Sequence, residues 1–325
     1  MAAEPVAAKP DGKSWDDLLL AYISEVTPTK RAPERDRWSA RTLRPHFTGR
    51  PLASIGAEEV RGYIATRKAA GIAPATINRE IGLMSAACNW ARRELEWDIA
   101  NPWEARRLKE PAGRDRWLTE AEAAALLAAA DARRLRWPWL ADFCRLCLYA
   151  GLRPGEALGL EWARVDLGRG LVRFDVGDQK SGKRGAIPIN QVARAALIER
   201  ARFRAEHCPG SPWVFCRRDG SRIASIKKGF ASLAQAAGLV DLHPHDLRRT
   251  FGSWLVQQGI GIERVAELLR HGDVAITARV YAHLRPSDLA EAASALDRPQ
   301  YRTSHANFTL AHTDTGGTKK PAGAG

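Results

Sequence analysis

The chain has few of the features that would place it outside the cell or in a membrane. Among its 325 residues are five cysteines, Cys88, Cys144, Cys147, Cys208 and Cys216. That odd, scattered set makes no disulfide framework. Cys144 and Cys147 form a CxxC, but inside the apolar run DFCRLCLYAGL and with no second Cys/His pair at zinc spacing. They read as buried thiols of a reducing, cytoplasmic compartment. No run of 18 apolar residues occurs, and the opening MAAEPVAAKPDGKSW lacks the apolar stretch of a signal peptide, so the chain is expected to be neither secreted nor membrane-spanning. No internal repeat is evident. Nor does any Asp/Glu cluster resemble a two-metal site, so no metal and no cofactor are expected. Acidic residues are themselves short: 37 Asp plus Glu face 50 Lys plus Arg, for a net charge of +13. An excess of that sign suits a polyanionic partner, because phosphates release counterions to a cationic surface.

Hydrophobic residues make up 45% of the chain, enough for a sizeable core, and the length suits two domains. Residues 1–13 show no periodicity and are expected to be disordered. From Trp15 the pattern turns helical, with Leu18, Leu19, Tyr22, Ile23 and Val26 on one face. TPTKRAPERDR interrupts it, and WSARTLRPHFTG reads as a short second helix. Ala57 to Lys68 forms a third. APATINREIGLMSAACNWARRELEWDI reads as a long fourth, closed by Asn101 and Pro102. Residues 14–103 thus form an all-helical domain. The charged stretch 104–117, EARRLKEPAGRDRW, reads as a linker, either a solvated connector or a track for a phosphate backbone.

A second domain opens at LTEAEAAALLAAAD, where Thr119 and Glu122 have capping-box spacing. WPWLADFCRLCLYAGL reads as a buried helix, and Pro154 starts a short one. The period then changes: ARVDLGRGLVRFDVGDQKSGKRGAIPIN predicts three short strands with turns at Gly168–Gly170 and Lys180–Lys183. Helices follow to the segment PSDLAEAASALD, and residues 297–325 carry no core pattern.

Several residues of this second domain suit chemistry on a phosphodiester. Such a displacement needs an in-line nucleophile, cationic donors for the non-bridging oxygens, an acid for the leaving oxygen and a group to manage the nucleophile's proton. With no carboxylate cluster to hold metals, arginines must supply the positive charge. Arg153, between turn residues at a helix start, can point at an anion, with Glu156 able to hold it. Standing alone, it would read as a surface Arg–Glu pair. His245 and Arg248 are three apart, so they share a helical face. His271 closes a helix before Gly272, a place where the helix dipole alone would favour it. Tyr281 lies in an apolar helix, where a tyrosine is more often core than catalyst. Lys180 sits at the tip of a hairpin and could protonate a leaving oxygen, with Lys183 and Arg184 as rivals.

The ordered segments AGLRPGEALGLEW, QKSGKRGAIPI, HPHDLRRTFGSWL and LLRHGDVAITARVYAHL resemble those of the tyrosine recombinases, the phage-integrase and Xer-like enzymes. The resemblance implies a mainly α fold: a helical, SAM-like core-binding domain over 14–103, then an α-rich catalytic domain over 118–296 with a small antiparallel three-stranded sheet. It implies site-specific cleavage and rejoining of DNA through a 3′-phosphotyrosyl intermediate, without metal or ATP. Arg153, His245, Arg248 and His271 would surround the phosphate, Lys180 would be the general acid and Tyr281 the nucleophile. The implied partners are double-stranded DNA and three further copies, as a homo-tetramer on paired sites, with DNA-bending or directionality proteins as possible helpers. PSDLAEAASALD would dock on a neighbouring protomer. Because the helices begin near residue 14, no extra arm-binding domain is expected. Two departures stand out: Arg249 where many relatives have histidine, and Arg270 in a Leu-Arg-His run where many have Leu-Gly-His. A non-catalytic DNA-binding protein, a nicking-closing topoisomerase and a metal-dependent nuclease are the rival readings.

Overall fold

A computed structural model describes residues 12–111, 113–175 and 185–284. The Lys180–Lys183 turn, the PSDLAEAASALD segment, the 297–325 tail and nearly all of the N-terminal stretch lie outside them. The chain divides into two compact units, residues 1–114 and 115–325.

The first unit is a helical bundle: α1 (Trp15–Glu25), α2 (Pro33–Phe47), α3 (Ala57–Ala69) and α4 (Pro74–Glu94). Ser14 caps α1 through a reciprocal bond with Asp17, satisfying two backbone donors at once. The core gathers Trp15, Leu18, Leu43, Phe47, Ile77, Ile81, Met84 and Trp103, all buried. Two boundaries differ from the sequence reading. Helix α2 starts at Pro33, well before Trp38, because proline serves at a first helical position and Glu34 and Asp36 favour the first turn. Helix α4 ends at Glu94, ahead of Asn101. Glu96 turns left-handed (φ 53°), and the Trp97 amide donates back to Ala91. Asn101 instead donates its side-chain amide to Asn89 Oδ1 at 2.9 Å, stapling the returning chain to α4.

One carboxylate lies deep in this bundle. Glu80, 3% exposed, accepts the Tyr63 hydroxyl at 2.7 Å and both the Nε and Nη2 of Arg67, at 3.1 and 2.7 Å. Burial, followed by the Glu80 contact, raises the Tyr63 phenol well above its usual range, so the hydroxyl stays a donor. Glu80→Ala is expected to cost about 2–3 kcal/mol of unfolding free energy, since it strands two polar partners. Chemical denaturation followed by circular dichroism would measure the loss. An unchanged midpoint would mean that water replaces the carboxylate at no cost.

Residues 104–111 are tethered within the first unit: the Leu108 amide donates to Asn78 Oδ1 at 2.7 Å, and Asn78 returns a bond to the Leu108 carbonyl at 2.9 Å. In the second unit, Arg116 pairs with Glu122, which also caps α5 (Glu120–Asp131) through the Thr119 amide.

The second unit continues with α6 (Leu140–Tyr149), α7 (Pro154–Leu158), β1 (Val165–Asp166), β2 (Leu171–Phe174), β3 (Gly185–Pro188), α8 (Gln191–His207), α9 (Lys227–Ala236), α10 (Pro244–Gln257), α11 (Ile262–Leu268) and α12 (Val274–Tyr281). The strands form one antiparallel sheet in the order β1-β2-β3, with Val172 opposite both Val165 and Ile187. The fold is therefore mainly helical with a small three-stranded sheet, as expected. Cys144 and Cys147 are fully buried in α6, where exclusion from water pushes both thiols up. They read as apolar core here too. Helix α10 is the keystone. The Thr250 hydroxyl accepts from the Leu118 amide, and the Trp254 indole donates to the Leu118 carbonyl, fixing the helix to the start of the unit. Across from it, Gly151 (φ 60°) closes α6 so tightly that an added Cβ would lie 2.5 Å from the Phe251 ring.

Candidate active site

The five described candidates converge on α10 from three other helix ends. Arg153 is the N-cap residue of α7, with Pro154 at the first helical position and Glu156 two residues further. Its backbone amide donates to Glu156 Oε2 at 2.8 Å, and its Nη1 donates to Oε1 at 2.5 Å. The local sequence RPGE thus folds into a cap that also fixes the guanidinium. Arg248 lies one turn into α10 and is 3% exposed. It donates from Nη1 to the Gly151 carbonyl at 2.6 Å and from Nη2 to the Leu269 carbonyl. Burial, with Arg153 and Arg270 nearby, pulls this guanidinium down to about 9, so it remains a cation at neutral pH.

His245 sits in the first turn of α10, exposed at the protein surface. Desolvation, then the charges of Arg248, Arg153 and Arg249, depress its imidazole below the ordinary value. His271 follows α11 and is held there by backbone, its amide donating to the Ala266 carbonyl at 2.9 Å. Its Nδ1 lies 2.7 Å from the hydroxyl of Thr277, a fully buried residue of α12. That bond occupies Nδ1 and leaves Nε2 free. Burial and the same arginines lower His271 to about 4. Both histidines are therefore neutral at physiological pH. An arriving phosphate would offset the arginine charge and draw both upward.

The depressed His271 value sets a pH dependence. Unfolded, the ring protonates near 6.5; folded, it does so near 4. Between those values the unfolded chain holds the extra proton. The contribution is therefore complete above about 6.5 and is lost as pH falls towards 4. The melting temperature of His271→Asn is expected to fall less than that of the wild type between pH 7.5 and pH 5. Equal slopes in a calorimetric pH series would count against a buried neutral imidazole.

Tyr281 ends α12 and is 4% exposed. Its ring lies against α10 where Gly252 leaves room: a Cβ on that glycine would come within 2.6 Å of the phenol Cζ and 2.9 Å of its oxygen. Burial raises the phenol above its ordinary range, while Arg248 and Arg249 pull the other way. At rest, then, the hydroxyl is protonated beside two cations. Arg249 itself lies 3.9 Å from Asp115, which also pairs with His283 at 3.0 Å.

Two contributors, Thr277 and Gly252, were not legible in the sequence, and a third, Glu156, does more than hold Arg153. Glu156 proves to be a hub, since Arg270 Nη2 also donates to it at 2.6 Å and Arg248 lies 3.9 Å away. Burial alone would raise this carboxyl, but Arg270, the Arg153 amide, Arg153 and Arg248 together hold it below its usual range. Thr277 and Gly252 carry no chemical signature. A glycine inside a helical stretch was the one available hint of a close approach. Arg270, one of the two departures from the resemblance, is turned inward and only 8% exposed. Lys180, Lys183 and Arg184 lie outside the described residues. Among those described, no group of three or more His, Cys, Asp or Glu is placed to hold a metal, and no helix is long and apolar enough to cross a membrane.

The family model of the phage integrases matches residues 116–288, more than half of the chain. The tyrosine recombinase XerD of Caulobacter vibrioides is 31% identical over 298 residues, covering 86% of this chain and 94% of that protein. Among solved structures, the Tn1549 transposon integrase in complex with transposon right end DNA superposes with a TM-score of 0.72 at 19% identity, over 87% of this chain and 99% of that one. A lambda integrase tetramer bound to a Holliday junction gives 0.68 at 18% identity, over 87% and 82%. The chain belongs to the phage integrase family, and its class is that of the tyrosine-type site-specific DNA recombinases.

Proposed function

We propose that Tyr281 is the nucleophile that cleaves DNA, and that Arg153, Arg248, His245 and His271 form the cradle for the scissile phosphate. The observation that carries this reading is the convergence of two guanidinium groups and two neutral imidazoles on α10, the helix against which the Tyr281 phenol lies. The Tyr281 oxygen attacks phosphorus, the bond to the 5′ oxygen breaks, and a 3′-phosphotyrosyl ester remains. Arg153 and Arg248 balance the charge that builds on the non-bridging oxygens. His245 takes the phenol proton, and His271 hydrogen-bonds the phosphate through Nε2. Lys180 delivers a proton to the departing 5′ oxygen. The ester keeps the bond energy, so the 5′ hydroxyl of a second strand can attack it and release Tyr281 without ATP.

In this reading residues 14–103 bind the duplex as a core-binding domain, 104–117 link, and 118–296 catalyse. Four protomers act on paired sites in the cytoplasm, in integration or excision, with accessory bending or directionality proteins where a site requires them. Support comes from the net charge of +13 and from the solved relatives, which include DNA complexes and a tetramer on a Holliday junction.

The test uses a duplex taken from the DNA flanking the gene, nicked next to the cleavage position so that the cut strand diffuses away. With EDTA present, wild type is expected to give a covalent protein–DNA band on a denaturing gel, and Tyr281→Phe none. A band that persists in Tyr281→Phe would show that another residue attacks.

A further inference from the structure

Arg270 holds a left-handed backbone conformation, φ 54°, that glycine adopts freely and a side chain bearing Cβ adopts rarely. A non-glycine residue kept in that conformation beside an active site suggests that its side chain does something there. The guanidinium is almost wholly buried and stacks over the ring of Phe174 in β2, 4.4 Å from its centroid. It donates from Nη1 to the Leu268 carbonyl at 3.0 Å and from Nη2 to Glu156 Oε2 at 2.6 Å. Glu156 meanwhile accepts from the Arg153 amide and side chain and lies 3.9 Å from Arg248. One carboxylate therefore serves three guanidinium groups. Three positive charges less one negative leave a net +2 in this cluster; without Arg270, two less one would leave +1.

We propose that Arg270 is a positioning residue for the phosphate site: it occupies Glu156, so that this carboxylate orients Arg153 without neutralising the pair of arginines that meets DNA. The proposal rests on the reading above that Arg153 and Arg248 hold the scissile phosphate. A bare carboxylate beside that phosphate would repel the charge that grows during cleavage, and in a poorly hydrated site the repulsion is little screened. Being buried, Arg270 itself leaves the DNA untouched. Its influence falls on the cleavage step and spares affinity.

The full chain, the nicked duplex and three variants test this. Arg270→Gly removes the charge while suiting the left-handed backbone, so any loss of rate is not caused by strain. It is expected to slow single-turnover formation of the covalent adduct on the order of 10- to 100-fold, with DNA affinity in a gel shift changed by no more than about twofold. Glu156→Gln in the Arg270→Gly background returns the charge balance to +2, and the amide oxygen can still accept from the Arg153 amide. It is expected to recover most of the rate. Arg270→Lys should fall between Arg270→Gly and wild type, keeping the charge but not the guanidinium that lies over the Phe174 ring. Adduct formation by Arg270→Gly at the wild-type rate would overturn the proposal. So would a double variant no faster than Arg270→Gly, which would assign Arg270 to packing alone. Absence of an adduct from the wild type itself would defeat the underlying reading of the site, and is told apart by that control.

Discussion

Arg248→Ala is expected to slow covalent adduct formation by about 10³-fold, the scale on which removing a preorganised charged donor slows phosphoryl and acyl transfer. The physical ground is double. The guanidinium is buried beside Arg153, so its charge acts with little screening on any phosphate placed there. It also ties two chain segments together, donating to the carbonyl of Gly151 and to that of Leu269. Alanine takes the arginine donor from the Leu269 carbonyl and leaves the Gly151 carbonyl only the longer bond from Arg270 Nη2, at 3.4 Å, so stability should drop as well, by about 1–3 kcal/mol. Arg248→Lys separates the two contributions. It keeps a positive charge, but a single ammonium cannot span both carbonyls as the planar fork does. It should recover part of the rate with little of the stability. Single-turnover adduct kinetics and thermal melting on the same samples would decide. Full activity in Arg248→Ala would remove this residue from the phosphate cradle.

Gly252→Ala is the second large effect, and its sign runs against helix propensity. In an exposed helix this change stabilises by about 1 kcal/mol. At Gly252 the new Cβ would stand 2.6 Å from the Tyr281 Cζ, 2.8 Å from Cε1 and 2.9 Å from the oxygen, well inside contact distance. The phenol must move, and α12 with it. A displacement of about 1 Å at a reacting group costs on the order of 100-fold in rate, so the variant should bind DNA normally yet form adduct slowly. Gly62→Ala is the control. That glycine lies exposed in α3 with nothing within 4 Å of the added carbon, so the first unit should gain about 1 kcal/mol and activity should not change. Wild-type cleavage by Gly252→Ala would mean that Tyr281 does not act from this seat.

The order of chemical groups along the chain was readable because it depends on residue type and local spacing. The RPGE cap, the Thr119–Glu122 capping box and the three-residue step from His245 to Arg248 are local, and helical geometry fixes them within a turn or two. Helix boundaries were less legible. Helix α4 stops at Glu94 because of a left-handed turn at Glu96, and glutamate gives no warning of that conformation. Helix α2 begins at Pro33, inside a stretch whose charge and two prolines suggested a loop.

By itself, then, the sequence determined a basic, mainly helical protein, since composition and periodicity carry that information directly, while the arginine, histidine and tyrosine set was singled out by the resemblance of four ordered motifs to the tyrosine recombinases. The tertiary structure alone decided that Glu156 serves three guanidinium groups, that Thr277 holds His271, and that Tyr281 rests against a glycine of α10. These are contacts between side chains brought together by packing. Arg270 meets Glu156 across 114 residues of chain, and no local pattern encodes such an encounter. It exists because buried charges must find partners, and only the folded core determines which partners lie within reach.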